Sequence, residues 1–495
     1  MLPFKNTYFR VILLLLVSVL FFNQCRKFDD FDEDPSILLS FSTDTVIFDT
    51  VFATIGSVTQ TLKVYNTHDA AVQISSVRLA GGNSSNYRIN IDGSPTSVSN
   101  DVEIAANDSV FIFVKATIDP TSGGTPFIVE DSIIFETNGN IQDVDLVAWG
   151  QNARYILADQ FIQGFPRFKI VAGENEQVIW NNELPYVIYG FAVVDSAGSL
   201  AIDAGTQVYF HDGSGLWVYR GGKIEVNGSR EDPIVFQGDR LESFYEDLPG
   251  QWDRIWIMEG STDNKIDHAV IRNGFIGLQV ETFNLDDPLP RGLLLTNTVI
   301  ENMSGIGILA RWYSITGINN VVANCGNYTM ALTWGGEYDF RHCTFANYWT
   351  YSARETGNLA MTNFFVDSEA NTYVFDLSAY FGNCINYGDR IDEIDTASVD
   401  EGLFDFIFEN CLLKTSWDIN DQNIYPESIK NEDPIFLDFT RNNYRLDTLS
   451  PAINTGNPDI INTSPYLNII QFDLDGNNRV MDPDMGAYEF LNMSK

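Results

Sequence analysis

Basic residues are scarce in this chain: 29 Lys and Arg stand against 67 Asp and Glu in 495 residues, a formal charge of −38. A field of that sign repels phosphate backbones and anionic headgroups, so the composition argues against nucleic acid as a partner. Cysteine is nearly absent from most of the length, with five in all and only Cys25 before Cys325. That excludes the dense disulfide frame of a small secreted module. Histidine is rarer still. The four, His68, His211, His268 and His342, fall into no HxH or HExxH spacing, so the sequence carries no zinc signature. Runs with helical periodicity are missing too, and 37 glycines with 13% aromatic residues point to strands and turns. The main apolar run, Val11 to Phe22, falls short of the roughly 20 residues that cross a bilayer.

What is present begins with that run. Lys5 and Arg10 precede it, giving the basic-then-apolar layout of a secretory signal, and Cys25 follows directly. The arrangement resembles a bacterial lipoprotein signal, which implies that residues 1–24 are removed and that Cys25 is acylated as the first mature residue. Gln24 stands where that family has a small residue. The stretch from Arg26 to Asp34 is similar to the lysine-plus-acidic segment that sends some lipoproteins to the outer face of the outer membrane. Lys27, Asp29 and Asp30 carry that likeness. As chemistry alone, residues 25–36 are a charged tether. The resemblance implies a lipid-anchored outer-membrane protein facing outward, held beside integral barrel proteins.

Residues 37–151 read as short strands parted by turn-formers. Thr61 to Asn66 alternates towards a turn, Val110 to Ala116 runs into Asp119-Pro120, and Ile133 to Gly139 ends in an Asn-Gly turn. About seven strands in this span suggest a sandwich. Their order resembles the immunoglobulin-like modules related to the abnormal-spindle and pilus-chaperone type. Those modules serve as spacers or docking units, so the likeness implies no chemistry.

After a connector at 152–192 the rhythm changes. Strands of three to five residues, each with a turn behind it, run from Ser199 to Phe236. Such strands become stable when successive coils stack around one interior. Repetition follows in Val270-Ile271-Arg272-Asn273, Val299-Ile300-Glu301-Asn302, Val321-Val322-Ala323-Asn324 and Thr344-Phe345-Ala346-Asn347. Asparagine tolerates the left-handed conformation, so it suits a turn stacked coil on coil. The pattern resembles right-handed parallel β-helix proteins over residues 193–432. Residues 433–495, with Asp433-Pro434-Ile435-Phe436 and Met485-Gly486-Ala487-Tyr488-Glu489, resemble the end region of secreted bacterial β-helix proteins and should cap the open solenoid. The expected fold is therefore all-β, an immunoglobulin-like β-sandwich followed by a right-handed parallel β-helix.

Chemistry is harder to find. The fold hosts pectin lyases and polygalacturonases, but no Asn-Thr-Asp-Gly, Gly-His-Gly or Arg-Ile-Lys cluster is present, and the acidic residues look scattered through loops. His268 and His342 enter the repeat at similar places, as a ladder or as a metal pair. Cys325, Cys343, Cys384 and Cys411 suit buried thiols. Asp473-Leu474-Asp475-Gly476 reads as a cap turn or as a calcium loop without the distal glutamate. Aromatics gather at Trp312-Tyr313, Trp334, Tyr338, Tyr348-Trp349 and Tyr351, as packing or as a glycan platform. The loop from Leu241 to Trp252 is expected to close a coil. No catalytic residue, metal ligand or cofactor is assigned. The expectation is a non-enzymatic recognition or scaffold subunit, bound to an integral barrel protein or a polysaccharide. The alternatives are a glycan-binding adhesin and a polysaccharide lyase or glycoside hydrolase, the enzyme being favoured if three acidic or basic side chains converge in one groove.

Overall fold

The computed structural model describes residues 31–53, 56–119, 127–283, 289 and 292–491. Cys25, Lys27, Asp29 and Asp30 lie outside the described residues. The chain divides into two compact units, Met1–Asn152 and Ala153–Lys495. It is all-β, with 51% strand and 4% helix. Among the described residues no helix is long and apolar enough to cross a membrane.

The first unit holds two five-stranded sheets. One runs in the order Ser40–Phe41, Gln60–Tyr65, Ser109–Ala116, Tyr87–Ile91, Ser94–Thr96, and all its pairings are antiparallel. The other runs Thr45–Phe52, Asn140–Gln151, Phe127–Thr137, Val72–Leu79, Val98–Ile104, and its first pair is parallel. Period-two alternation turns Val110, Ile112 and Val114 inward and leaves Phe111, Phe113 and Lys115 outward. Leu62, Val64, Ile74, Ile112 and Phe135 share one core. Ten strands form among the described residues where about seven were legible. Ser40–Phe41 and Ser94–Thr96 are too short and polar to show alternation, and tertiary pairing alone makes them strands.

In the second unit, short parallel strands stack into three ladders, an arrangement compatible with a parallel β-helix. The first ladder has eleven strands, beginning Arg154–Leu157, Tyr186–Tyr189, Gln207–Phe210, Ile234–Gly238 and continuing through Ala269–Arg272, Val299–Met303, Val321–Cys325 and Thr344–Asn347. The second begins at Phe168–Ala172 and the third at Gln177–Trp180. These starts fall inside residues 152–192, the segment expected to be a connector. Its coils pair in register with those that follow, Tyr155 beside Val187 and Val178 beside Leu200. The repeat was hidden there because Gly190, at positive φ, stands in the turn where later coils carry Asn273, Asn302 and Asn324.

One row is built by the turns themselves. His268, Asn297, Asn319, His342, Asn383 and Asn410 all take positive φ between the third and first ladders. Each passes its backbone N–H to the next coil, as from His268 to Thr296 and from Asn383 to Glu409. His268 and His342 thus occupy equivalent turns, but Asn297 and Asn319 separate them. A second asparagine row, Asn273, Asn302 and Asn324, also has positive φ. Asn347, expected to continue it, instead points inward: it donates to the Cys325 carbonyl at 3.0 Å and accepts from the Cys325 amide at 3.2 Å.

The segment after Asp433, expected to cap the open solenoid, packs instead along the outer face of the first ladder. Phe436, Tyr444 and Leu446 join Val321, Ala323, Ala346 and Ile385 in one buried cluster. Small alanines on the ladder make room for the large rings laid over them.

Candidate functional site

The outward row of the first ladder reads Arg272, Glu301, Ala323, since these residues are direct neighbours across successive parallel pairs. Strand alternation turns Ile271 and Ile300 into the core and leaves Arg272 and Glu301 on the outside. From Ala323 onward the row is roofed by the cap. Glu301 stands where that roof ends, at the inner edge of a groove of about 600 Å³. Its other walls come from three places: Glu246 and Asp247, Tyr348 to Tyr351, and Phe439 to Asn442.

Each wall is held by local chemistry. Asn273 donates to the Glu246 carbonyl at 2.7 Å, and the Tyr351 hydroxyl donates to the Asp247 carbonyl at 2.6 Å. On the cap side Tyr348 stacks on Phe439 with centroids 4.2 Å apart, and the Asn324 and Asn442 side chains are hydrogen-bonded to each other. The Trp349 indole donates to Ser352 at 2.9 Å, and its ring lies 5.1 Å from that of Tyr351. Tyr351 is 52% exposed and Phe439 40% exposed, so each leaves ring surface at the groove.

Burial under the cap edge raises the Glu301 carboxyl to about 7. Arg272 beside it opposes the rise, and Asp247 adds to it. Arg272 is itself steadied by donating to Gln237 at 2.7 Å. Below neutral pH Glu301 is therefore a hydrogen-bond donor, and above it an acceptor. The groove combines a carboxyl that titrates near neutrality, two further acidic residues, Arg272 and Arg441, three asparagines and partly bare rings. Such a set offers hydrogen-bonding groups beside aromatic faces that can meet C–H surfaces.

The other candidate residues named from the sequence disperse. Tyr313 and Tyr338 are core residues of the coils. Trp312 and Trp334 lie at a coil corner among Phe365, Tyr373 and Phe375. There Trp334 stacks on Phe365 at 4.3 Å and receives Arg311 at 5.3 Å from its centroid, so its faces are already used. His68 contacts the Leu38 carbonyl at 3.2 Å, and His211 pairs with Asp239 at 2.8 Å while stacking on Tyr189. All four histidines are among the described residues, and each has its own surroundings, apart from the others.

Cys343, Cys384 and Cys411 follow one another up the interior. The Cys343 amide donates to Cys384 Sγ, and the Cys384 amide to Cys411 Sγ, each at 3.4 Å. These three and Cys325 are free and buried. In the Asp473 loop, Asp473 accepts from the Asn477 and Glu489 amides at 2.6 and 2.8 Å. Asp475 is taken by Arg445 at 2.6 and 2.7 Å. That is a cap turn with its carboxylates occupied. Among the described residues no group of three or more His, Cys, Asp or Glu could hold a metal ion.

Reading the sequence missed Glu301, Arg272, Glu246, Asp247, Phe439 and Arg441 as groove residues. The loop from Leu241 to Trp252 was expected only to close a coil, yet it supplies one wall. A signal did exist: in the four repeats that end in Asn273, Asn302, Asn324 and Asn347, the residue before asparagine runs Arg, Glu, Ala, Ala. Charge gives way to small residues where the cap begins.

No protein-family model matches the chain, and no curated protein matches it. Among solved structures it is similar to a family 123 glycoside hydrolase from Clostridium perfringens studied for glycolipid glycan hydrolysis, with 11% identity and a TM-score of 0.18. That match covers 24% of this chain and 30% of the enzyme. It is also similar to an ASH/PapD-like domain of human CEP192, with 10% identity, a TM-score of 0.17, and coverage of 26% of this chain and 96% of the domain. Likenesses this low carry no argument about the site.

Proposed function

We propose that this chain is a surface-exposed outer-membrane lipoprotein, anchored through Cys25, that recognises a polysaccharide in the Glu301 groove without cleaving it. In this reading the first unit is an immunoglobulin-like module and the second a right-handed parallel β-helix with its cap. Lys27, Asp29 and Asp30 act as the signal for display on the outer face. A neighbouring integral barrel protein is the natural companion of a lipidated subunit. The observation that carries the reading is the groove itself, where Arg272, Glu301, Glu246 and Asp247 converge with the exposed rings of Tyr351 and Phe439.

A glycan array probed with the fluorescently labelled chain tests it. Binding to a defined set of polysaccharides is expected, with loss of about tenfold or more on Tyr351→Ala, as for removal of a stacked ring and its burial. An empty array, or a hit that Tyr351→Ala leaves untouched, sinks the proposal. A second reading has two supports, the first being that Arg272, Glu301, Glu246 and Asp247 meet at one groove, the convergence of acidic and basic side chains expected of an enzyme. The second is a carboxyl held protonated to about pH 7 in a groove with a second carboxylate, which suits general acid catalysis, so the fallback is a polysaccharide lyase or glycoside hydrolase. Release of reducing or unsaturated ends from an array hit, abolished by Glu301→Gln, would decide for it.

A further inference from the structure

The two outer faces of the first unit carry opposite charge. On the sheet built from Thr45–Phe52, Asn140–Gln151, Phe127–Thr137, Val72–Leu79 and Val98–Ile104, the outward residues include Asp49, Asp143, Asp145, Glu130, Glu136 and Glu103, with Arg78 as the counter-charge. The other sheet is different. Its outward residues are Thr61, Lys63 and Tyr65 on one strand, Phe111, Phe113 and Lys115 on the next, and Arg88 and Asn90 on the third, with Asp92 at the rim.

Register places these side chains next to one another. Lys63 faces Phe111, Thr61 faces Phe113, and Arg88 faces Lys115. The Lys63 ammonium lies 4.8 Å from the Phe111 ring centroid and 5.3 Å from that of Tyr65. Phe111 and Phe113 stand nearly parallel, 6.4 Å apart, and are 44% and 39% exposed. In a chain with 67 acidic and 29 basic residues, a flat face with three cations around three aromatic rings is a local reversal of sign. Long-stemmed cations that snorkel beside aromatic rings are the side chains favoured at a membrane interface.

We propose that this sheet face docks on an anionic, phosphate-bearing lipid surface. Charge complementarity identifies the occupant, because phosphate headgroups match Lys63, Arg88 and Lys115 while the rings enter the headgroup layer. Chain length makes it reachable: residues 26–36 span at most about 40 Å when extended. Which membrane is met rests on the anchor reading for Cys25; the docking chemistry does not.

The test floats the chain from residue 25 onward, carrying Cys25→Ser and therefore no lipid, with vesicles of phosphatidylcholine alone or mixed with phosphatidylglycerol. Flotation is expected with the phosphatidylglycerol vesicles only, and it should weaken as salt rises. Lys63→Glu with Lys115→Glu should weaken it about 30-fold or more. Phe111→Ser with Phe113→Ser should weaken it at every salt concentration, and circular dichroism checks that both variants keep the fold. Equal flotation with neutral vesicles, none with anionic ones, or an unaffected lysine variant overturns the proposal. A failed glycan array or failed acylation at Cys25 would leave this result standing, so the readings fail separately.

Discussion

Replacing Glu301 with glutamine isolates the chemistry of the groove. Burial at the edge of the cap lifts this carboxyl from 4.5 in the unfolded chain to about 7 in the folded one. Between those values the folded state keeps a proton that the unfolded state has released, so stability falls as pH rises through this window. Full ionisation of wild type then costs about 3 kcal/mol relative to a side chain that cannot ionise. Glutamine keeps the shape of the protonated acid and escapes the cost. Melting temperatures of wild type and Glu301→Gln should coincide below about pH 4.5 and separate above it, the variant ending about 4 °C higher by about pH 8. Asp247→Asn should pull the midpoint of that divergence down, because Asp247 contributes to the rise, and Arg272→Met should push it up. A gap that does not change with pH, or a wild type that gains on the variant as pH rises, refutes the assignment.

Three further outcomes are expected. Asn383→Ala should destabilise the second unit by about 3 kcal/mol: it forces alanine to a φ of 52° and strands the Asn457 amide and carbonyl that Asn383 bonds at 2.7 and 3.0 Å. Asn383→Gly should recover about 1 kcal/mol of that in urea melts. Arg354→Ala should cost about 3–5 kcal/mol, because Glu393, bonded twice at 2.7 Å and fully buried, would lose its counter-charge and keep only the Arg390 amide. Arg354→Met with Glu393→Leu should be milder than the single change, as chemical denaturation would show. In the Cys25→Ser chain the thiols should ignore a disulfide reagent until denaturant is added, then react as four. Burial raises Cys325 to about 12 and holds Cys343 and Cys384 well above the ordinary thiol value.

The stacking was legible because it is written in local repetition. Asn273, Asn302 and Asn324 each follow three strand residues, and the structure gives each the left-handed turn that suits asparagine. The earlier coils were not legible, since Gly190 replaces asparagine at positive φ and Tyr186–Tyr189 is followed at once by Phe191–Val194. The groove was hidden for another reason. Glu246, Glu301 and Phe439 are distant in sequence, and what joins them is the return of the cap across the first ladder. That is a long-range packing event, signalled only by Ala323 and Ala346 where the repeats elsewhere carry Arg and Glu. Residues 25–30, which resemble a lipoprotein anchor motif, lie outside the described residues.

The most direct measurement of the central claim is hydrogen–deuterium exchange of the chain with and without a polysaccharide taken from the array. Recognition in the groove should slow exchange together at residues 246–247, 301–302, 348–351 and 439–442 and leave the other coils unchanged. Protection confined to another face, or none at saturating ligand, would contradict it.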